Sequence, residues 1–134
     1  MASVLANLWV GRALSSLAIA FLAFDTVIKL LAIPEVTASF IKLGYSPQLA
    51  LTIGMLELIC VALYIWPRTS VLGAIVLTGY LGGAIATHVR VGDPLFSHVM
   101  FPTYVAALVW GGLYLRHERL RAFVRSSIRL AAAV

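Results

Sequence analysis

The sequence predicts an all-α integral membrane protein: a four-helix bundle with a short interfacial helix after the first span and a basic amphipathic C-terminal tail. Three observations lead there. Of 134 residues, 62% are hydrophobic and only 11% charged, against about 25% charged in an average soluble domain. A water-soluble fold of this size leaves too much surface exposed to hide that share of apolar side chain. The apolar residues fall into four long runs, and the basic residues sort between the ends of those runs. A single cysteine, Cys60, lies inside one run and excludes a disulfide scaffold or a zinc module.

The runs cover about 13–33, 48–66, 71–87 and 99–115, lengths in the range of roughly 17–25 residues that cross a hydrocarbon core as helix. Arg12 ahead of the first run imitates a signal peptide. Asp25 and Lys29 interrupt that run, and no small-x-small cleavage site follows, so it reads as a retained helix. Behind Pro34, Val36, Phe40 and Leu43 recur at helical spacing, the pattern of a short helix lying in the interface. Ser46-Pro47 reads as an N-cap with proline at the first helical position of the second span. Pro67 closes that span, and Thr69 or Ser70 is expected to cap the third. The turn between them is so short that the two spans form an antiparallel hairpin. Ser97 is expected to cap the fourth. In the tail, 116–134, Leu120, Val124 and Ile128 repeat every four residues with Arg121, Arg125 and Arg129 beside them, which predicts an amphipathic helix on the membrane surface. No internal repeat or second domain interrupts the chain, so 1–134 reads as one membrane domain.

An even number of spans puts both termini on one side. Arg12, Arg68, Arg116, Arg119, Arg121, Arg125 and Arg129 share that side, while Lys42 and Arg90 lie on the other. The positive-inside rule makes the terminal side cytoplasmic. The net charge of +5 is concentrated in a tail without aromatic stacking platforms, which fits anionic lipid headgroups and not nucleic acid.

Depth sorts the polar residues. Counting ~1.5 Å per residue from the outer helix ends, Lys29 lies ~6 Å below the boundary, Tyr104 ~9 Å, Asp25 and Tyr80 ~12 Å, and Glu57 ~16 Å. His88, Arg90, Asp93 and His98 gather at the outer mouth of the third and fourth spans, whereas the inner half is nearly pure Leu, Ile, Val, Ala and Gly. A charge near the middle of a span costs ~2.5–3.5 kcal/mol on insertion scales, so Glu57 is expected to face the interior, protonated or paired. Asp25 and Lys29, four apart, have two readings. They neutralise each other within the helix, or they join Glu57 in an outward-opening polar pocket. In the second reading the carboxylates handle protons, Lys29 and Arg90 supply positive potential, and Tyr80 and Tyr104 donate hydrogen bonds to a ligand carbonyl.

His88 and His98 match no zinc or haem spacing and read as interfacial hydrogen-bonding groups, so no metal is expected. Gly79 and Gly83 form a small-xxx-small face for helix packing, as do Gly82 and Ala86. Trp66, Trp110, Tyr64 and Tyr114 suit the inner interfacial belt. No phosphate loop, nucleophile–base set or di-metal box occurs, so no motif names a reaction or a catalytic residue.

The stretches FDTVIKLLAIPE, LGYSPQLALTIGMLELICVALYIWPR and LTGYLGGAIATHVRVGDPLFSHVMFPTYVAALVWGGLYLR carry a family likeness. Together they resemble the DoxX-like family of small four-helix bacterial membrane proteins, over about residues 21–116. The more specific marks are the Asp25/Lys29 pair, the run Gly54-Met55-Leu56-Glu57-Leu58, and the segment from Gly79 to Pro94 that ends His88-Val89-Arg90-Val91-Gly92-Asp93-Pro94. The resemblance points to Asp25, Lys29, Glu57, Gly79, His88 and Arg90 and implies residence in a bacterial inner membrane. Relatives of the family include the membrane subunit of thiosulfate:quinone oxidoreductase and proteins associated with thiol and oxidative-stress systems. A non-covalently bound quinone and a redox-accessory role, alone as a homo-oligomer or with other membrane subunits, are therefore implied. The chain has no dithiol or flavin site, so electrons would be carried by a partner or by the quinone. A non-catalytic structural subunit is the rival reading, and a transporter ranks third because the inner half offers no polar path.

Overall fold

The computed structural model describes residues 2–132, and among them every regular element is helical. Six α-helices follow in order: α1 (Ala2–Leu30), α2 (Pro34–Lys42), α3 (Leu49–Ile65), α4 (Ser70–Arg90), α5 (Phe101–Arg116) and α6 (Glu118–Ala131). A single π turn, Leu95–Val99, precedes α5. Three helical stretches are long and apolar enough to cross a membrane: Leu5–Leu30, Ser70–Arg90 and Leu95–Arg116. The run expected at 48–66 forms the shorter apolar helix α3, of 17 residues. α1 packs on α3 and α5, and α4 packs on the same two, so the four helices close a ring of contacts.

Local chemistry fixes the boundaries, in places differently from the sequence reading. The first helix extends toward the N-terminus well beyond residue 13 and stops at Leu30. Pro34 excludes helical geometry at Ile33, which is extended (φ −57°, ψ 153°). Ala32, just before it, takes a left-handed turn (φ 46°). Three helices end by the same device at one end of the molecule. After α1, α2 and α4, a left-handed residue (Ala32, Gly44, Gly92) and its successor turn their N–H groups back onto the last carbonyls, the Schellman arrangement. Gly44 and Gly92 take φ of 76° and 71° without a Cβ clash.

None of the expected side-chain N-caps forms. α3 starts at Leu49, two residues after Pro47, and Ser46 Oγ bonds the Gln48 side chain instead of the helix N-terminus. Thr69 does precede α4, but its Oγ1 donates to Leu63 O (2.8 Å) and Ser70 Oγ to Pro67 O (3.2 Å), tying the new helix back to the old. Ser97 lies inside the π turn and bonds His98, and α5 begins only at Phe101. In each case the hydroxyl finds a local partner that competes with the cap.

Close helix approach comes from glycines at the end that carries the α3–α4 turn. A Cβ on Gly73 would stand 2.3 Å from Tyr64 N, and one on Gly112 would stand 2.4 Å from Ser15 Oγ. Here α4 meets α3, and α5 meets α1, backbone to backbone. The core between them is filled by Ala18, Leu22, Val61, Leu77, Val109 and Leu113. Outward-facing Trp9, Leu17, Phe24, Ile59, Leu72 and Ile75 stay exposed, an apolar girdle that water would not tolerate.

Candidate functional site

Asp25 and Lys29 stand one helical turn apart on α1, Glu57 comes from α3 and Tyr80 from α4, and the four meet at Lys29. Its ammonium donates to Asp25 Oδ2 (2.5 Å), Glu57 Oε2 (2.9 Å) and Tyr80 Oη (2.7 Å). All three of its N–H bonds are thereby used. Tyr80 Oη in turn donates to Glu57 Oε2 (3.0 Å). The Lys29 side chain is 13% exposed, Asp25 29% and Glu57 0%. Gly54 lets the helices come this close. One turn before Glu57, its missing Cβ would lie 3.0 Å from Lys29 Cβ. The intrahelical neutralisation of Asp25 by Lys29 and the wider cluster with Glu57 are thus both present, sharing one cation.

Two buried oxygens in this region, Glu57 Oε1 and Thr26 Oγ1, have no hydrogen-bond partner among the described residues. Both belong to the protein interior: Glu57 Oε1 is an unpaired acceptor, and the Thr26 hydroxyl can both donate and accept.

The cluster borders a cavity of about 840 Å³, within the roughly 300–1,000 Å³ typical of small-molecule sites. Asp25, Lys29 and Tyr80 are its polar groups at depth, and its walls include Phe21, Leu22, Leu56, Val76, Leu81 and Val105. Glu57 does not line the cavity; it stands behind Lys29 and Tyr80 and holds them. Gly79 and Gly83 do line it, and a Cβ on either would meet nothing within 4 Å. The packing face expected of these two glycines is therefore not made within this chain: they open space where Gly73 and Gly112 close it.

At its mouth the cavity passes under α2, whose Glu35, Val36, Ser39 and Phe40 form its roof. The roof is latched to the end of α4. Lys42 Nζ bonds Asp93 Oδ1 (2.9 Å), His88 Nδ1 bonds Asp93 Oδ2 (2.7 Å), Arg90 donates to Leu43 O, and Tyr45 Oη pairs with Thr87 Oγ1 (2.9 Å). The hydrogen bonds from His88 and Lys42 hold the Asp93 carboxyl below the ordinary aspartate range.

Of the residues singled out from sequence, Asp25, Lys29, Tyr80 and His88 line the cavity and Glu57 supports it. Arg90 and Tyr104 do neither. The Arg90 guanidinium lies 5.6 Å from the Tyr45 ring centroid and serves the latch. Tyr104 is 47% exposed on the outer side of α5 and reaches only Phe96 O (3.4 Å). His88 and His98 stack edge to face at 5.8 Å, and among the described residues no group of three His, Cys, Asp or Glu gathers as metal ligands. Sequence reasoning missed Glu35 and the whole roof contact. It also placed Tyr64 in an interfacial belt, whereas Tyr64 is fully buried, bonded to Ser15 Oγ (2.9 Å) and donating to Val109 O (2.8 Å). The Ser15 hydroxyl near the start of the first apolar run was the one available signal.

An all-helical chain with membrane-length apolar helices and a charged cluster at the floor of an apolar cavity defines a class of small helical membrane protein. Its affiliation is specific: the profile of the DoxX-like family matches residues 13–112, and the chain belongs to that family. No curated protein and no solved structure matches it.

Proposed function

We propose that this protein binds a small hydrophobic molecule bearing carbonyl or hydroxyl oxygens, a quinone being the class that fits best, and serves as a redox-accessory membrane subunit. The observation that carries the reading is the cavity with polar groups only at its depth and its mouth. An apolar ring or tail fits the Phe, Leu and Val walls, while a ligand oxygen accepts from Lys29 by taking the place of Asp25, the most open of the three charged groups, and the released Asp25 carboxyl exchanges a proton with the ligand. Electron transfer belongs to the ligand and a partner. In this reading α1, α3, α4 and α5 all span a bacterial inner membrane, both termini are cytoplasmic, and α6 lies on anionic headgroups. The support for that orientation is the sorting of Arg12, Arg68 and the tail arginines to one end and Lys42 and Arg90 to the other.

Native mass spectrometry of the gently extracted particle tests the reading. A stoichiometric quinone is expected with the wild type and is expected to fall about five- to tenfold in Tyr80→Phe, which removes the hydroxyl that positions Lys29, a hydrogen bond worth ~1–1.5 kcal/mol. Glu57→Gln is expected to weaken it through Lys29. A ligand-free particle held tightly by other subunits would sink the proposal. That outcome is the second reading, a structural subunit, which the exposed small-residue face of Gly82 and Ala86 favours.

A further inference from the structure

At the end of the bundle opposite the cavity, Leu8, Arg12, Pro67, Ser70, Arg116 and His117 line a hollow of about 220 Å³. Among the described residues no carboxylate borders it. The nearest acidic residue in sequence, Glu118, is largely exposed and turns to Arg121 (3.7 Å). Arg116 is the informative member: its Nε and Nη2 are buried and have no hydrogen-bond partner among the described residues. Its guanidinium lies 5.3 Å from the Tyr64 ring centroid, a contact that steadies the cation but satisfies neither N–H. Buried donors of a charged group cost more to leave unpaired than neutral ones, so the position is incomplete without an acceptor.

The surroundings specify that acceptor. Arg12, whose guanidinium lies 5.7 Å from the Trp9 ring centroid, borders the hollow from α1, and His117 borders it from the break between α5 and α6, where the backbone leaves helical geometry (φ −115°, ψ 98°). Ser70, the first residue of the 21-residue helix α4, borders the hollow, and that helix start has no side-chain cap, so the positive end of the helix lies beside it. Two forked cations, an imidazole and a helix N-terminus around a space free of carboxylates match a tetrahedral oxyanion.

We propose that this hollow is a phosphate site, filled by the headgroup phosphate of an anionic phospholipid or by free phosphate. It is distinct from the amphipathic helix of the tail: Arg119, Arg125 and Arg129 are on α6 and border no part of it. Exposed Trp9, Leu5 and Leu72 flank the same end and offer apolar surface to acyl chains, so the lipid source is the one expected.

The full chain in phosphatidylcholine micelles doped with phosphatidylglycerol provides the test, read by native mass spectrometry. One phosphatidylglycerol per chain is expected to survive activation in the wild type and to be lost at least tenfold in Arg116→Gln and in Arg12→Gln. Arg12 is exposed on α1, so its variant folds even where Arg116→Gln does not. The triple variant Arg119→Gln/Arg125→Gln/Arg129→Gln is expected to retain the lipid. Displacement by inorganic phosphate assigns the site to the free anion, and resistance assigns it to the lipid. Retention in both Arg116→Gln and Arg12→Gln, loss in the tail variant instead, or equal retention of phosphatidylcholine overturns the proposal.

Discussion

The two ends of the bundle use the same residue for opposite ends. Near the α3–α4 turn, Gly73 and Gly112 bring backbones together, and Tyr64 and Ser15 fill the remaining polar capacity across the seam. Near the cavity mouth, Gly79 and Gly83 hold nothing, and the space they leave is the wall of the cavity. A glycine on a helix therefore marks either a seam or a hollow. What decides is the neighbour across from it, and here the neighbour at the seam is backbone while at the hollow it is a ring of side chains around Lys29.

The largest effect expected from breaking this contrast lies at Lys29. Lys29→Met leaves Asp25 and Glu57 sharing a buried space without a cation, and ~3–5 kcal/mol of stability should go. In detergent the Tm should fall sharply, and adding Glu57→Gln to the variant should restore part of the loss. An unchanged Tm would show that the cluster does not hold the helices together.

Gly73→Ala comes next. Its methyl meets Tyr64 backbone that has nowhere to move, a cost of ~1–3 kcal/mol from overpacking. Gly83→Ala sharpens the comparison, since the new methyl enters open space and the better helix former gains ~0.5–1 kcal/mol. A pair of Tm measurements should thus move in opposite directions, and equal losses would refute the distinction between seam and hollow. Between these in size stands Tyr64→Phe, which removes the bonds to Ser15 and Val109 and should cost ~1–2 kcal/mol.

The smallest effect concerns the latch. Because the folded Asp93 carboxyl titrates below its ordinary value of 3.8, its bonds to Lys42 and His88 add stability above that pH. The contribution is lost as pH falls through the lowered folded value. Thermal melts of the wild type and Asp93→Asn should differ modestly above pH 3.8 and converge below it. A gap that persisted in acid would mean that the Asp93 charge is not what fastens α2.

Much of this arrangement was legible as depth and little of it as rotation. Counting residues from helix ends brought Asp25, Lys29, Tyr80 and Glu57 to neighbouring levels, and those four touch. The same count grouped Tyr104 with them, yet Tyr104 faces outward. α3 and α5 are apolar on nearly every side, so the sequence carries no stripe from which to read which way a residue points. The caps failed for a different reason. Ser46, Thr69, Ser70 and Ser97 all have the right chemistry, and each spends it on a neighbour that the pattern does not reveal. Gly44 and Gly92 were the stronger punctuation, because a left-handed backbone is a requirement that few residues meet.

The shared cation at Lys29 also bears on the order in which the chain is made. α1 precedes α3 and α4 and brings its ammonium already matched by Asp25 on the same helix, so the stretch after Arg12 carries no net charge. Glu57 follows on α3, a helix with no basic residue of its own and a carboxylate that hydrocarbon resists. By then Lys29 is in place, and Tyr80 arrives next on the partner half of the hairpin. Synthesis from the N-terminus thus delivers each charge after the group that receives it.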